Sequence, residues 1–227
     1  LAALGRVDPL NGRAAEAEAR RCLDELGCAG LFLHPGEESF PVAAARHVLQ
    51  VAAERRAPVV VATGWFALSE PLQVAQAAAD VPDIPVVLTN GGQINISGLS
   101  MADAWLALTS HGNLLVMTNG EYRQDFIERL ASELSPERVL YASCAPVFDP
   151  VFEHKRIRSA RMTDEARAAV MDRIRQALGV ASLDRARRAA VARRLERHPH
   201  GTIPSRATPS GANRVAQFTD MLTVQGA

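Results

Sequence analysis

Six short apolar runs recur along this chain at steps of about 26 to 30 residues, the length of one strand-helix-strand unit. They span Leu1 to Val7, Ala29 to Leu33, Pro58 to Val61, Pro85 to Leu88, Asn113 to Met117 and Arg138 to Tyr141. None alternates with polar residues, so each reads as a strand buried on both faces. Between them, over Ala14 to Leu26, Val42 to Arg55, Pro71 to Ala79, Met101 to Ser110 and Asp125 to Leu134, apolar residues fall three and four apart, as in helices with one buried face. Strands and helices alternating at this step make an α/β fold with a parallel sheet and right-handed crossovers, either open and doubly wound or closed as a barrel.

The strand ends separate those options. His34-Pro35-Gly36, Ala62-Thr63-Gly64-Trp65, Thr89-Asn90-Gly91-Gly92, Thr118-Asn119-Gly120-Glu121 and Ser143-Cys144-Ala145-Pro146 are small or polar, and all follow the carboxyl side of a strand. Similar endings on five strands suit one shared mouth, which a TIM-type barrel provides. The phosphate loop of an open nucleotide-binding sheet, GxGxxG or GxxxxGK[ST], does not occur. The barrel is the expectation. At 227 residues the chain is slightly shorter than the about 250 of a full barrel, and it opens on Leu1 rather than Met.

The last strand is followed by an expected irregular stretch, Val147 to Met162, and then an amphipathic helix, Thr163 to Leu178. Beyond a barrel region of residues 1–180, the segment 181–227 reads as a separate extension. It holds a basic helix (Ser182 to Arg197), a Pro/Gly/Ser/Thr-rich arm from His198, and a last apolar stretch, Val215 to Leu222. The arm is the expected route to a homo- or hetero-oligomer. Lysine plus arginine (25) balances aspartate plus glutamate (25), so no bulk field draws the chain to nucleic acid or an anionic membrane surface. No apolar run reaches the about 18 residues of a membrane span. Three cysteines without a CxxC pair fit a reduced, cytoplasmic setting.

Three strand ends together resemble the amidohydrolase-related superfamily, in particular its aminocarboxymuconate-semialdehyde decarboxylase-like branch: RRAPVVVATG, VPDIPVVLTNGG and PERVLYASCAP. They look like the family's fifth, sixth and eighth strands, and the resemblance runs over about residues 5–180. It implies that the six strands are the third to eighth of a (β/α)8 barrel. The first strand, with its paired-histidine metal motif, and the second have no counterpart, and two further units of about 30 residues would complete a barrel.

By the same resemblance, Ala62 and Asn90 stand where the family has metal-binding histidines, and Cys144 where it has an aspartate. Alanine offers no donor atom, and asparagine is a poor substitute for imidazole at a zinc-type site. The expectation is therefore no cofactor and no metal ligands, a divalent ion such as zinc being disfavoured.

Barrel geometry makes His34, Glu37, Glu38, Trp65, Asn90, Gln93, Asn95, Asn119, Glu121, Cys144 and Asp149 candidates to line the mouth, with Ala62 and Thr63 beside them. His34 suits a general base or a strand cap. Cys144 suits a nucleophile if His34 or His154 activates it, and otherwise an inert small residue. Glu121 is the third candidate catalytic group. The repeated Thr-Asn-Gly of Thr89–Gly91 and Thr118–Gly120 suits either a neutral polar ligand, bound by paired asparagines, or simple turns. Trp65 could stack on a planar ligand or close the barrel top. Two functions follow. One is a barrel protein with a degenerate metal site, acting as a non-catalytic or regulatory subunit. The alternative is a metal-independent hydrolase or decarboxylase-like lyase acting on a small carboxylate or amide.

Overall fold

The computed structural model describes residues 3–92, 98–121 and 123–177, which belong to one compact unit. The expected basic helix, arm and last apolar stretch lie outside the described residues, as do Gln93 and Asn95. The strands are β1 (Leu4–Arg6), β2 (Gly30–Leu33), β3 (Val59–Val61), β4 (Val86–Leu88), β5 (Leu114–Met117) and β6 (Val139–Leu140). They pair in chain order, every pair parallel. Helices α1 (Arg13–Arg20), α2 (Pro35–Glu38), α3 (Arg46–Glu54), α4 (Pro71–Ala79), α5 (Gly98–Ser110) and α6 (Gln124–Arg129) fall between strands. After β6 come α7 (Pro150–Ser159) and α8 (Asp164–Ala177).

Helix α7 corrects the expectation of irregular chain over Val147 to Met162. Its start is well specified: Asp149 Oδ1 accepts from Val151 N at 2.8 Å, and Pro150 occupies the first helical position, where its missing N–H costs nothing. The usual apolar periodicity is missing because Val151 and Phe152 are exposed, while a charged residue, Glu153, is buried one turn from Ile157.

The strands send alternate residues to two different cores. Leu31, Leu33, Val59, Val61, Val86, Leu88, Leu114 and Val116 pack with helix residues such as Val48, Val74, Leu108 and Phe126. The opposite face carries Phe32, Val60, Val87, Leu115, Met117 and Leu140 with Leu4, and among the described residues no helix joins this cluster. An open doubly wound sheet has helices on both faces. Helices on one face only, with apolar residues converging on the other, make the second face a barrel interior.

Two polar side chains tie the amino ends of the last strands to the helices before them. Asn113 Nδ2 lies 3.1, 3.1 and 3.2 Å from the carbonyls of Ala78, Val81 and Ile84. Arg138 donates to Leu108 O and His111 O at 2.6 Å each, and to Leu114 O at 2.7 and 2.9 Å. Both gather carbonyls at helix ends and turns, where the helix ladder leaves oxygens short of donors, and add to the backbone bonds that Ala78, Val81 and His111 already accept.

Gly30 illustrates how tightly β2 meets its neighbour. A β-carbon there would strike the Pro58 carbonyl oxygen, which already accepts from Leu31 N at 3.0 Å. Gly30→Ala is expected to destabilise the fold by about 1–3 kcal/mol, read as a lower urea midpoint.

The surface carboxylates set the acid limit. Arg21 holds Glu18, Arg55 holds Asp24, Arg6 holds Glu37 and Arg123 holds Asp125 below the ordinary carboxylate range, chiefly through side-chain hydrogen bonds. The Arg161 backbone N–H does the same for Glu128. At low pH the unfolded chain therefore binds more protons than the folded one. The stability these groups contribute is present above the ordinary carboxylate values of about 4 and is lost as pH falls through their depressed folded values. Burial, with Glu18 beside it, pushes the Cys22 thiol up to about 11. That contribution is present below about pH 8.5 and is lost as pH rises toward the folded value. Urea midpoints measured from pH 3 to 10 should fall at both ends, and a midpoint unchanged at pH 3 would contradict the acid assignment.

Candidate ligand site at the carboxyl rim

The carboxyl ends of β4 and β5 meet through two asparagines. Asn119 Nδ2 donates to Asn90 Oδ1 at 2.7 Å, and Asn90 N donates to Asn119 Oδ1 at 3.4 Å. Asn119 is buried and Asn90 half-buried. Asn90 and Gly91 are left-handed, with φ of 55° and 63°. A side chain on Gly91 would run into the Glu121 carboxylate, so glycine serves both the turn and the close approach of that group. Glu121 is 1% exposed, and its Oε1 accepts from Arg123 N at 2.7 Å.

Threonines lace the same rim together. Thr89 Oγ1 accepts from Thr63 N at 3.1 Å, and Thr118 Oγ1 accepts from Ala142 N at 3.2 Å, so β3 is joined to β4 and β5 to β6 just beyond the ladders. After β6 the chain turns at Cys144 (φ 50°), whose carbonyl accepts from Val147 N at 2.9 Å and Phe148 N at 3.4 Å. This turn lays Phe148 against Gly120. A methyl group on Gly120 would sit 3.0 Å from the Phe148 ring and 3.3 Å from Asn90 Oδ1. From α7, Arg156 Nη2 reaches back to Thr118 O at 2.7 Å and pairs with Glu153 Oε2 at 2.9 Å.

A second group forms at the ends of β1 and β2. Arg6 donates to Glu37 Oε2 at 2.6 Å and to Glu38 Oε1 at 2.8 Å. His34 Nδ1 accepts from Glu37 N at 3.0 Å, which caps α2 and leaves the ring proton of the neutral imidazole on Nε2, 3.4 Å from Glu37 Oε1. The Trp65 ring lies 5.8 Å from the His34 ring and covers Gly36.

The structure thus joins Asn90, Asn119 and Glu121 with Phe148, and separately joins His34 with Trp65. Asp149 caps α7. Cys144 is exposed, and neither proposed activator is poised for it: His34 faces Glu37, and His154 packs edge-on to Tyr141 at 6.2 Å between ring centres. Arg6 and the Arg156–Glu153 pair escaped sequence reading. The parity that puts Phe32 inside the barrel also points Arg6, its register partner, inward. The i,i+3 spacing of Glu153 and Arg156 was visible, but its burial was not.

The residues at the three positions that the sequence resemblance aligns with the family's metal site do not fit an ion. Ala62 has no donor, Asn90 Oδ1 is engaged by Asn119, and Cys144 stands on an exposed turn. Among the described residues no group of three or more His, Cys, Asp or Glu side chains is placed to hold a metal. A cavity of about 820 Å³ lies elsewhere, lined by Ser132, Glu137, Met162, Thr163 and Glu165 near the amino end of β6, and it takes no part in the rim.

The family model described as Amidohydrolase matches residues 1–173. The chain belongs to the amidohydrolase family. Solved structures agree with this at the level of the fold. A 2,6-dihydroxybenzoate decarboxylase from Rhizobium is 14% identical, with 78% of this chain and 71% of that one covered and a TM-score of 0.60. A 5-carboxyvanillate decarboxylase from Novosphingobium aromaticivorans, with bound manganese, is 13% identical over 79% and 65%, with a TM-score of 0.61. An uncharacterized TIM-barrel protein from Bordetella bronchiseptica is 16% identical over 78% and 66%, with a TM-score of 0.66. Comparison with curated proteins gives no match. This amidohydrolase-family chain therefore holds six consecutive units of a TIM-type barrel. Among its described residues, no helix is long and apolar enough to cross a membrane.

Proposed function

We propose that this amidohydrolase-type barrel binds a small polar molecule at its carboxyl rim without metal-dependent turnover, as the non-catalytic or regulatory member of an oligomer. The observation that carries the reading is the 2.7 Å bond between Asn119 and Asn90, which engages the side chain standing at a family histidine position while Ala62 stands at another. Chemistry that depends on an ion to acidify water has no generator on such residues. The names of the decarboxylase neighbours support a ligand of similar size, a single ring with polar substituents. Assembly through residues 181–227 is part of this proposal.

Full-length chain purified with excess manganese or zinc is expected to carry far less than one ion per chain and to release no carbon dioxide from 2,6-dihydroxybenzoate. One tightly held ion per chain together with turnover would overturn the reading.

A second reading, a metal-independent lyase or hydrolase, is favoured by one observation: Glu121 is a carboxylate buried at the rim beside the asparagine pair. Under that reading Glu121→Gln abolishes a metal-independent activity that Cys144→Ser and His34→Gln test in turn.

A further inference from the structure

Residues 144–152, which form the turn after β6 and the start of α7, are all exposed, and Asp149 is the only charged residue among them. Val147 is 73% exposed, Val151 59% and Phe152 62%. Single apolar residues on a surface need no explanation, but a contiguous group of large ones marks a contact site. The segment is also held in one shape. Cys144 O accepts from Val147 N at 2.9 Å, Asp149 caps α7, and Arg156 ties the helix to Thr118 O at 2.7 Å. An apolar surface fixed in advance loses little conformational freedom when it is covered.

The charges on α7 indicate what covers it. Glu153, Ile157 and Ala160 are buried against the body of the protein, so the opposite stripe of the helix, with Phe152, Lys155 and Ser159, faces outward. Asp149 lies three residues before Phe152 and Lys155 three residues after it. Among the described residues neither has an ion-pair partner, and the Asp149 carboxylate, which uses Oδ1 for the cap, has acceptor capacity to spare. A two-fold axis at Phe152 sets two α7 helices antiparallel and brings each Asp149 level with the partner's Lys155. Both charges are then answered twice over. An anionic lipid surface would attract Lys155 but meet Asp149 within the apolar stretch, and a wholly apolar partner would leave both charges unmatched.

We infer that this face is a homodimer interface: α7 packs antiparallel on α7 of a second copy, with Phe152 at the two-fold axis and an Asp149–Lys155 pair on either side. The inference goes beyond the proposed function, which assigns assembly to residues 181–227. It places the contact beside the ligand rim, because Phe148 borders Gly120.

Sedimentation velocity of the full chain over about 1–100 µM, the range suited to a small interface, is expected to show a dimer. Phe152→Asp sets two carboxylates face to face at the axis and should weaken it at least about 100-fold. The urea midpoint should stay where it is, because the side chain is exposed. Lys155→Asp should weaken the dimer about tenfold, and adding Asp149→Asn, which keeps the cap, should recover part of that loss. Lys155 is the chain's only lysine, so carbodiimide coupling of mixed isotope-labelled and unlabelled chains should give a Lys155–Asp149 cross-link joining one chain of each kind. A monomer throughout the range, a dimer that survives Phe152→Asp, or Lys155 cross-links confined to single chains would each overturn the inference. So would a monomer that sediments with phosphatidylserine vesicles. None of these readings depends on metal content or turnover, so the proposed function stands or falls separately.

Discussion

Replacing Arg156 with methionine is expected to lower stability by about 3–5 kcal/mol, the range for removing one partner of a buried ion pair. Two groups lose by it. Glu153, 3% exposed, keeps a charge with no counter-ion, and the Thr118 carbonyl loses its donor just before the rim asparagines. For a chain of this size each kcal/mol moves Tm by about 2–4 °C, so a drop on the order of 10 °C should appear in a thermal scan. The origin of the loss is separable. With Glu153→Leu added, the double variant should recover much of the stability, because a well-packed apolar pair often equals or exceeds a buried ion pair. A double variant no more stable than Arg156→Met would show that packing of the guanidinium stem, and not the stranded carboxylate, carries the effect.

Arg138→Met is expected to have the second largest effect, about 3 kcal/mol, because hydrogen bonds to charged groups contribute about 1.5–3 kcal/mol each and are not additive. Its guanidinium gathers the carbonyls of Leu108, His111 and Leu114, which lie at the end of α5 and the start of β5. Burial pushes the pKa of this arginine below its ordinary value, and among the described residues no carboxylate is paired with it, so carbonyl dipoles hold the charge. Lysine brings a single point charge instead of a fork and should restore only part of the loss. Amide exchange offers a local readout: Arg138→Met should lose protection over residues 106–117 before the rest of the sheet. Uniform loss across all six strands would mean that the contact supports the whole fold and not this junction.

Much of the architecture was legible because it rests on local chemistry. Runs such as PVVV and PVVL, three apolar residues after a proline, have one plausible fate at that length, a strand covered on both faces, and all six expected strands form. Helix α7 was not legible. Its buried face carries Glu153 instead of an apolar residue, and only the neighbouring Arg156 makes that burial tolerable. At the rim, the repeated Thr-Asn-Gly marked Asn90 and Asn119 as candidates, but a turn and a ligand pair share the same letters.

What the sequence determined by itself was the βα rhythm, the parallel order that it requires, and the residue types Ala62, Asn90 and Cys144 at the strand ends. Only the tertiary structure decided which strand face met the helices, that the two asparagines bond to each other, and that Arg156 lies buried with part of its hydrogen-bonding capacity unused. The physical reason is range. Strand and helix periodicity is set by neighbours a few residues apart. The rim contacts join Asn90 to Asn119, 29 residues apart, and Thr118 to Arg156, 38 apart, through a geometry that exists only once the sheet has curved and brought its carboxyl ends together.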